Sequence, residues 1–436
     1  MRKLLILTLV LVFALGSMAF ATRTRVLTMG NNNNVLLDDA NIWLYPSRIN
    51  QYPNLGIAEM ENYQGFDDFY QFGIHWKFSE SNPWVLGTYI SLGPDDLPST
   101  YSTSEISNYS FTSNYWWYEY GAAKPSDVII NTRSTNRRID LLYGRKFGTT
   151  QFGFGFGYSH GSDSRKWDDT LNTKYSFSKY TVALGLTPED GKWDVAISYS
   201  MGTWTDESPL GYKLTEPDGY YDFMIGGRYI YQYNPTINFV PHAAATFGSH
   251  GQKVDSAGWA DDPWVDDNGI RVKSKQAAFE LGCGMQYMPT TNVLAVLDFG
   301  IQYRSVKNTD IAWKGTSGSS PRDDQKERTF NIPYWRIGLE GEVFNWMDVR
   351  LGATSDWQSF KAEWDQGSTT YSSNYDEVKS NWAENTTFLG VGLNFNRLHI
   401  DTYTDPQIVL DGFNFISGSD EADHLNFQVS VLYEMF

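Results

Sequence analysis

Apolar residues alternate with small or polar residues along most of the chain. The pattern is clearest over residues 180–201, where two alternating runs flank a turn containing Pro188 and Gly191. The apolar positions of these runs are Tyr180, Val182, Leu184, Leu186, Trp193, Val195, Ile197, Tyr199 and Met201. Period-two alternation places successive side chains on opposite faces of a strand. The stretch therefore predicts an antiparallel hairpin with one apolar face and one small or polar face.

The same pattern recurs along nearly the whole chain. The candidate strands are residues 55–63, 70–78, 84–91, 138–146, 151–159, 180–186, 193–201, 221–233, 237–247, 275–287, 293–304, 328–343, 347–355, 386–395, 398–404 and 425–435. Connections after even-numbered strands are short, and the others are long and polar or aromatic. This predicts an all-β fold, a transmembrane antiparallel up-and-down β-barrel of about 14–16 strands. A propeller or solenoid would need a repeated motif, and the sequence has none.

The first residues carry the pattern of a secretory signal peptide. Arg2 and Lys3 precede an apolar run, and Ala19-Phe20-Ala21 fits the small-x-small cleavage rule. We expect residues 1–21 to be the signal peptide, residues 22–53 an N-terminal hatch or plug segment, and residues 54–436 the barrel. The last strand ends at Phe436, which resembles the C-terminal aromatic signal of outer-membrane barrel proteins, although it is one residue out of phase. That resemblance implies recognition by the barrel assembly machinery.

Charge and composition narrow the class further. The formal net charge is −17, which argues against a nucleic-acid partner. After the signal peptide, no apolar run reaches the ~20 residues of a membrane helix. A signal for export together with two-faced strands predicts that the protein lies in the outer membrane of a Gram-negative bacterium, where the outer strand faces contact lipid. Cys283 is the single cysteine, so the chain forms no internal disulfide.

Charged residues occupy the second face of several predicted strands. A charge facing lipid near mid-membrane costs ~2–4 kcal/mol, so we expect these side chains to face the lumen. The candidates are Asp194, Arg228, Glu280, Asp298, Arg304, Arg336, Glu340, Glu342, Asp348 and Arg350. Either a cross-strand ion-pair network or a solute-selective constriction would explain both signs of charge. Glycine is also frequent on this face, which suggests that another backbone packs closely against it.

Residues 22–53 lack clean alternation but contain apolar residues that need burial. Within them, the runs 29–30 (Met-Gly), 37–41 (Leu-Asp-Asp-Ala-Asn) and 43–46 (Trp-Leu-Tyr-Pro) resemble the N-terminal segment of the FadL and PorV group of outer-membrane proteins. The resemblance implies a hatch inside the barrel and sideways exit of hydrophobic solutes through the wall. The hatch candidates are Asp38, Asp39, Asn41, Trp43, Tyr45 and Pro46. We expect the two aspartates to meet inward-facing arginines such as Arg228, Arg304, Arg336 or Arg350. A flexible periplasmic tail is the alternative.

The sequence offers little support for catalysis. Its six histidines have no metal-ligand spacing, and no Ser-His or Asp-His constellation is evident, so we expect no enzyme, cofactor or protein-bound metal. Residues 261–269 are acidic, but aligning Gly269 with the glycine of an EF-hand puts Trp264 at the first ligand position. An irregular calcium site in an external loop is a remaining alternative.

The predicted function is a channel or transporter for small hydrophobic solutes. The alternative is a non-transporting barrel, either a scaffold with a protein partner at its external loops or a structural porin-like protein.

Overall fold

The fold is a closed antiparallel β-barrel. The computed structural model describes residues 22–62, 69–79, 83–92, 137–168, 171–207, 213–215, 220–255, 270–311, 325–364, 377–404 and 427–435. The predicted signal peptide, the acidic stretch 261–269 and the terminal Phe436 lie outside these residues. In the described part of the chain, eighteen strand segments form one sheet. Three of them lie end to end beside the same neighbour, and two of these three also pair with the strand on the other side, so the barrel has sixteen strands.

The strands follow one another in chain order around the barrel. They are β1 (Leu55–Asn62), β2 (Phe69–Lys77), β3 (Trp84–Leu92), β4 (Arg137–Phe147), β5 (Thr150–Asp168), β6 (Leu171–Pro188), β7 (Trp193–Glu207), β8 (Lys213–Thr215, Tyr220–Tyr229 and Tyr231–Asn234), β9 (Ile237–Asp255), β10 (Ile270–Thr290), β11 (Val293–Ile311), β12 (Gln325–Phe344), β13 (Met347–Trp364), β14 (Glu377–Phe395), β15 (Leu398–Thr404) and β16 (Phe427–Glu434). Strand β1 pairs with β16 from Leu55↔Glu434 to Asn62↔Phe427. This pairing closes the sheet and leaves it without an open edge.

The predicted all-β barrel is confirmed, but several strands are longer than the sequence pattern indicated. Strand β5 has 19 residues and β10 has 21, whereas alternation had marked only residues 151–159 and 275–287. Most of the additional residues lie where the sequence predicted long connections. The predicted connection 160–179 is itself almost entirely strand, because β5 ends at Asp168 and β6 begins at Leu171. Apolar alternation marks only the stretch that crosses an apolar medium, ~9–11 residues for a tilted strand. Backbone hydrogen bonding between neighbouring strands continues past that stretch, because it does not depend on apolar side chains.

Side chains on the two faces of the wall differ sharply in exposure. In β7, Ile197 is 37% exposed, while its neighbour Ser198 is 8% exposed and faces inward. The same alternation holds in β10, where Leu281 is exposed and Glu280 and Gly282 are buried. The outer surface is therefore mainly apolar, which is the arrangement that a lipid bilayer stabilises.

The facing of β7 gives a direct test. An arginine at Ile197 should destabilise the barrel by ~2–4 kcal/mol if that residue lies near mid-membrane, because it would place a charge in lipid. The same change at Ser198 should cost less, since that side chain points into the barrel. Urea unfolding in lipid vesicles measures both variants. Equal losses would show that the two faces are misassigned.

Strand β12 contains a bulge near its middle. Two residues, Ile332 and Pro333, lie between the paired positions Asn331 and Tyr334, whereas β11 has only Ile301 and β13 only Trp357 across from them. A proline inside a sheet is tolerated at such a site because it has no N–H to donate. Asn331 and Tyr334 are three residues apart, which in a regular strand would put their side chains on opposite faces. Because of the extra residue, both pair with inward-facing positions of β11, namely Gln302 and Gly300.

The N-terminal segment (residues 22–53) precedes β1. It forms helix α1 (Arg23–Thr28) and two 3-10 helices, Asp39–Trp43 and Pro46–Gln51. The hydroxyl of Thr22 caps α1 by accepting a hydrogen bond from the amide of Arg25. Gly30 ends this helical part with a φ of 75°, a conformation that glycine adopts without strain. Among the described residues, no helix is long and apolar enough to cross a membrane.

Candidate functional site

Most of the charged residues predicted to face the lumen are buried. Asp194, Arg228, Glu280, Asp298, Arg336 and Arg350 are buried, and Arg304, Glu340 and Asp348 are partly buried. Glu342 is exposed, and it lies near the short connection between β12 and β13. The buried carboxylates and arginines gather into clusters, and three of these clusters contact the N-terminal segment.

The first cluster, called the Asp194 cluster, joins Arg48 of the segment to Asp194 and Arg228 of the wall. Asp194 is 0% exposed. Its Oδ2 accepts hydrogen bonds from Arg48 Nη2 at 2.8 Å and from Arg228 Nε at 2.7 Å. Its Oδ1 accepts from Arg48 Nε at 2.8 Å and from the Thr187 hydroxyl at 2.6 Å. One carboxylate thus bridges two arginines, in the charge-assisted geometry that gives strong hydrogen bonds.

Arg228 holds the segment with its remaining donors. Its Nη1 donates to the carbonyl oxygens of Asn34 and Leu36, both at 2.9 Å. Its Nη2 donates to Asn41 Oδ1 at 2.7 Å, and its guanidinium carbon lies 4.8 Å from the centre of the Tyr45 ring. Two of the predicted hatch residues, Asn41 and Tyr45, therefore contact the same wall arginine. Backbone carbonyls and a π face suit a planar cation with five N–H donors.

The second cluster, called the Glu340 cluster, joins Arg25 of α1 to Glu340, Arg350 and Asp401. Arg25 binds Glu340 through two hydrogen bonds of 2.6 and 2.8 Å. Arg350 Nε donates to the same carboxylate at 2.6 Å, and Arg350 Nη1 donates to Asp401. The hydroxyl of Thr22 also donates to Asp401, at 2.7 Å. A second bridging carboxylate therefore ties the start of the segment to the wall.

The closest arginine to Asp38 is not one of the expected wall arginines. Asp38 lies 3.8 Å from Arg25, a residue of its own segment, and burial raises the pKa of Asp38 to about 6 against the opposing charges of Arg25 and of the wall residue Arg228. In both clusters the segment supplies an arginine and the wall supplies the carboxylate. The sequence indicates which wall side chains face inward, but not the path of the segment across the lumen. The path of the segment therefore explains why its arginines bind wall carboxylates, whereas the sequence had suggested that its aspartates bind wall arginines.

Inward-facing glycines lie against the backbone of the segment. A Cβ atom added at Gly153 would overlap the backbone of Pro46 and Ser47, and one at Gly338 would meet Met29 within 2.9 Å. Gly284 and Gly390 instead face segment side chains, those of Val35 and Thr28. Gly282 and Gly392 do not lie against the segment in this way; they make room for wall side chains, those of His242 and Tyr334 at Gly282 and that of Arg350 at Gly392.

An apolar cluster lies between the segment and one part of the wall. Ile42 and Ile49 of the segment pack with inward-facing wall residues, and Trp43 and Tyr52 pack against them. The Trp43 ring lies 4.5 Å from the Tyr89 ring. The wall members are Leu55, Ile57, Val85, Tyr89, Leu142, Ala183 and Leu432. Barrel interiors are ordinarily polar, so this inward apolar patch is a distinctive feature of the lumen.

A third cluster centres on His242, one of the six histidines without metal-ligand spacing in the sequence. His242 Nε2 lies 3.1 Å from the Tyr334 hydroxyl, 3.4 Å from Glu280 and 3.6 Å from Asp298. Asn34 of the segment donates to Glu280 at 2.9 Å. The inward phase of β9 could have revealed this histidine. In the part of the chain that the structure describes, no group of three or more His, Cys, Asp or Glu side chains could hold a metal ion.

Comparisons with known proteins give only distant likenesses. No family model and no curated protein sequence matches the chain. Among solved structures, the chain is similar to CdiB from Escherichia coli at 12% identity, covering 87% of this chain and 62% of that one, with a TM-score of 0.40. It is also similar to the CymD monoaromatic hydrocarbon channel, at 9% identity, 94% and 96% coverage and a TM-score of 0.35. For the Pseudomonas putida toluene transporter TodX these values are 9%, 98%, 100% and 0.38. Likenesses this distant assign no function to the chain.

Proposed function

We propose that the chain is an outer-membrane channel for small hydrophobic solutes and that residues 22–53 form a hatch that closes it. The observation that carries this proposal is the pair of buried clusters in which segment arginines bind wall carboxylates. The apolar outer face of the barrel supports insertion into the outer membrane. Contacts of the segment with strands as far apart as β5, β10 and β15 support a position across the lumen.

The wall charges are arranged so that the segment can leave at moderate cost. Asp194 lies directly across from Arg228 on the neighbouring strand, and Glu340 lies directly across from Arg350. Each wall carboxylate therefore keeps a cross-strand partner when the segment departs, and Arg25 and Arg48 move into water. An unpaired buried charge would otherwise cost several kcal/mol. This arrangement favours a reversible hatch over a permanent filling.

The apolar cluster supports a hydrophobic solute. If the segment moves, Val85, Leu142 and Leu432 become an apolar surface inside the barrel. Such a surface binds hydrophobic compounds better than ions or sugars, because burying apolar area is favourable by ~25 cal/mol per Å². A channel for polar solutes alone would have no use for inward apolar side chains at this level.

One observation favours the alternative, a non-transporting barrel. The segment makes buried contacts on both the charged and the apolar parts of the wall, which would also suit a permanently closed scaffold. The two functions differ in one measurable respect. A hatch must be able to leave, and a permanent filling never does.

Deleting residues 31–46 while keeping the signal peptide tests the hatch. The barrel should still fold, because its ladders are complete without the segment. Its conductance in planar bilayers and the sensitivity of cells to large antibiotics should both rise. Uptake of a hydrophobic fluorescent solute into liposomes should rise as well.

The matched control is Leu37→Ser, a change in the same segment at a side chain that is 38% exposed. It should leave conductance and uptake at the level of the unmodified protein. A deletion variant that folds but conducts no better than the unmodified protein would refute the hatch and favour the scaffold.

A further inference from the structure

The residue that follows the predicted cleavage site is buried in the barrel. Thr22 is 1% exposed, although signal peptidase would make it the first residue of the mature chain. Hydrolysis of the Ala21–Thr22 amide bond adds one water. It leaves a carboxylate on Ala21 and an amine on Thr22, which is largely protonated near neutral pH because an α-amino group has a pKa of ~8. Processing would thus place a positive charge at a buried position.

Acidic side chains of the wall surround this position. The Thr22 hydroxyl donates to Asp401 Oδ2 at 2.7 Å, and the amide of Arg23 donates to Glu59 Oε1 at 3.2 Å. The α-nitrogen of Thr22 belongs to the same residue as the hydroxyl and lies within about 4 Å of it. A cation at this nitrogen would therefore lie between carboxylates of β15 and β1.

A third carboxylate nearby has an unsatisfied oxygen. Asp39 is 4% exposed, and its Oδ1 has no hydrogen-bond partner among the described residues. Burial and the carboxylates of Asp38, Glu59 and Asp401 raise the pKa of Asp39 well above its usual value. Buried carboxylates need a cation or hydrogen-bond donors to be tolerated. The first turn of the segment therefore lies close to several buried carboxyl groups, of which Asp401 also binds Arg350.

We propose that the α-ammonium group of Thr22, created by removal of residues 1–21, binds Asp401 and Glu59 and fixes the start of the hatch to the wall. This inference rests on the predicted cleavage after Ala21, and it deepens the proposed function by making hatch docking depend on processing. Before cleavage, the nitrogen of Thr22 is a neutral amide and the preceding chain continues from a buried site. After cleavage, the same nitrogen carries the charge that the surrounding carboxylates attract.

The test moves the ammonium by one residue. The full chain is exported through its own signal peptide in two forms, unmodified and with one serine inserted between Ala21 and Thr22, and intact mass identifies each mature N-terminus. The rate of trypsin cleavage after Arg25 in the folded protein reports release of the segment start. We expect the serine form to be cleaved at least tenfold faster. A mature chain that begins at any residue other than Thr22 would overturn the proposal.

A double-mutant cycle separates charge pairing from steric disturbance. The inserted serine is combined with Asp401→Asn and, because that change also removes a partner of Arg350, independently with Glu59→Gln. If the ammonium binds these carboxylates, the serine should accelerate cleavage much less in at least one of these backgrounds. Asp190→Asn, on an exposed turn, should leave the tenfold effect intact. Full additivity in both backgrounds would overturn the proposal. This result does not depend on whether the barrel transports a solute, so failure of the channel function would be seen separately in the conductance measurements.

Discussion

Replacing Asp194 by alanine should release the middle of the N-terminal segment. The substitution leaves Arg48 and Arg228 without their shared carboxylate in a buried site, and the loss of one partner of a buried ion pair costs about 3–5 kcal/mol. Arg228 is fixed in the wall, but Arg48 can reach water if the segment moves. The docked state should therefore lose most of that free energy, and the channel should conduct more of the time.

Trypsin cleavage after Arg48 and single-channel recording measure this release. In the unmodified protein Arg48 is buried and should resist cleavage. The control is Asp190→Asn, which alters an exposed ion pair with Lys192 and should change neither reading. If the alanine variant at position 194 is cleaved and conducts like the unmodified protein, the Asp194 cluster does not hold the hatch.

An alanine at Gly153 should have the next largest effect. Its Cβ would overlap the backbone of Pro46 and Ser47, and backbone atoms cannot rotate away as a flexible side chain can. Overpacking of this kind costs about 1–3 kcal/mol. The wall is held by continuous ladders on both sides, so the segment rather than the strand should move.

Gly341→Ala provides the comparison, because a Cβ there meets nothing within 4 Å. Both variants add one methyl group to a wall strand, at Gly153 against the segment and at Gly341 on the outer face. Conductance should rise for the change at Gly153 and stay constant for the change at Gly341. Urea unfolding in lipid vesicles should show that both barrels remain folded. An equal conductance for the two variants would contradict close packing of the segment on this strand.

The sequence was sufficient to predict the barrel because its information is local. Period-two alternation identifies each strand and its inward face, and the connection lengths give the order of pairing. Strand ends were less predictable, since β5 continues through polar residues to Asp168, past the part that faces an apolar medium. The bulge at Ile332 and Pro333 was also missed, because one long alternating run concealed the change of phase on either side of it.

The candidate site was predictable only on its wall side. The inward phase identified Asp194 and Arg228, and the glycine pattern indicated that a backbone packs against the wall. Arg25 and Arg48 were not singled out, because the segment has no regular period from which the direction of a side chain could be inferred. Their partners are more than 140 residues away in sequence, so these contacts depend on the closed barrel rather than on local pattern.

The glycines that line the segment also limit how the protein can change through evolution. A position such as Gly153 or Gly338 cannot acquire a side chain while the segment keeps its path, so these positions cannot be used to alter solute preference. Inward positions that hydrogen-bond to other wall side chains, as Gln71 does to Ser91 and Thr181 to Ser200, are better placed to vary. A lineage that adopts a new solute would therefore first change the half of the barrel nearest its long connections, and it would preserve the half that binds the hatch.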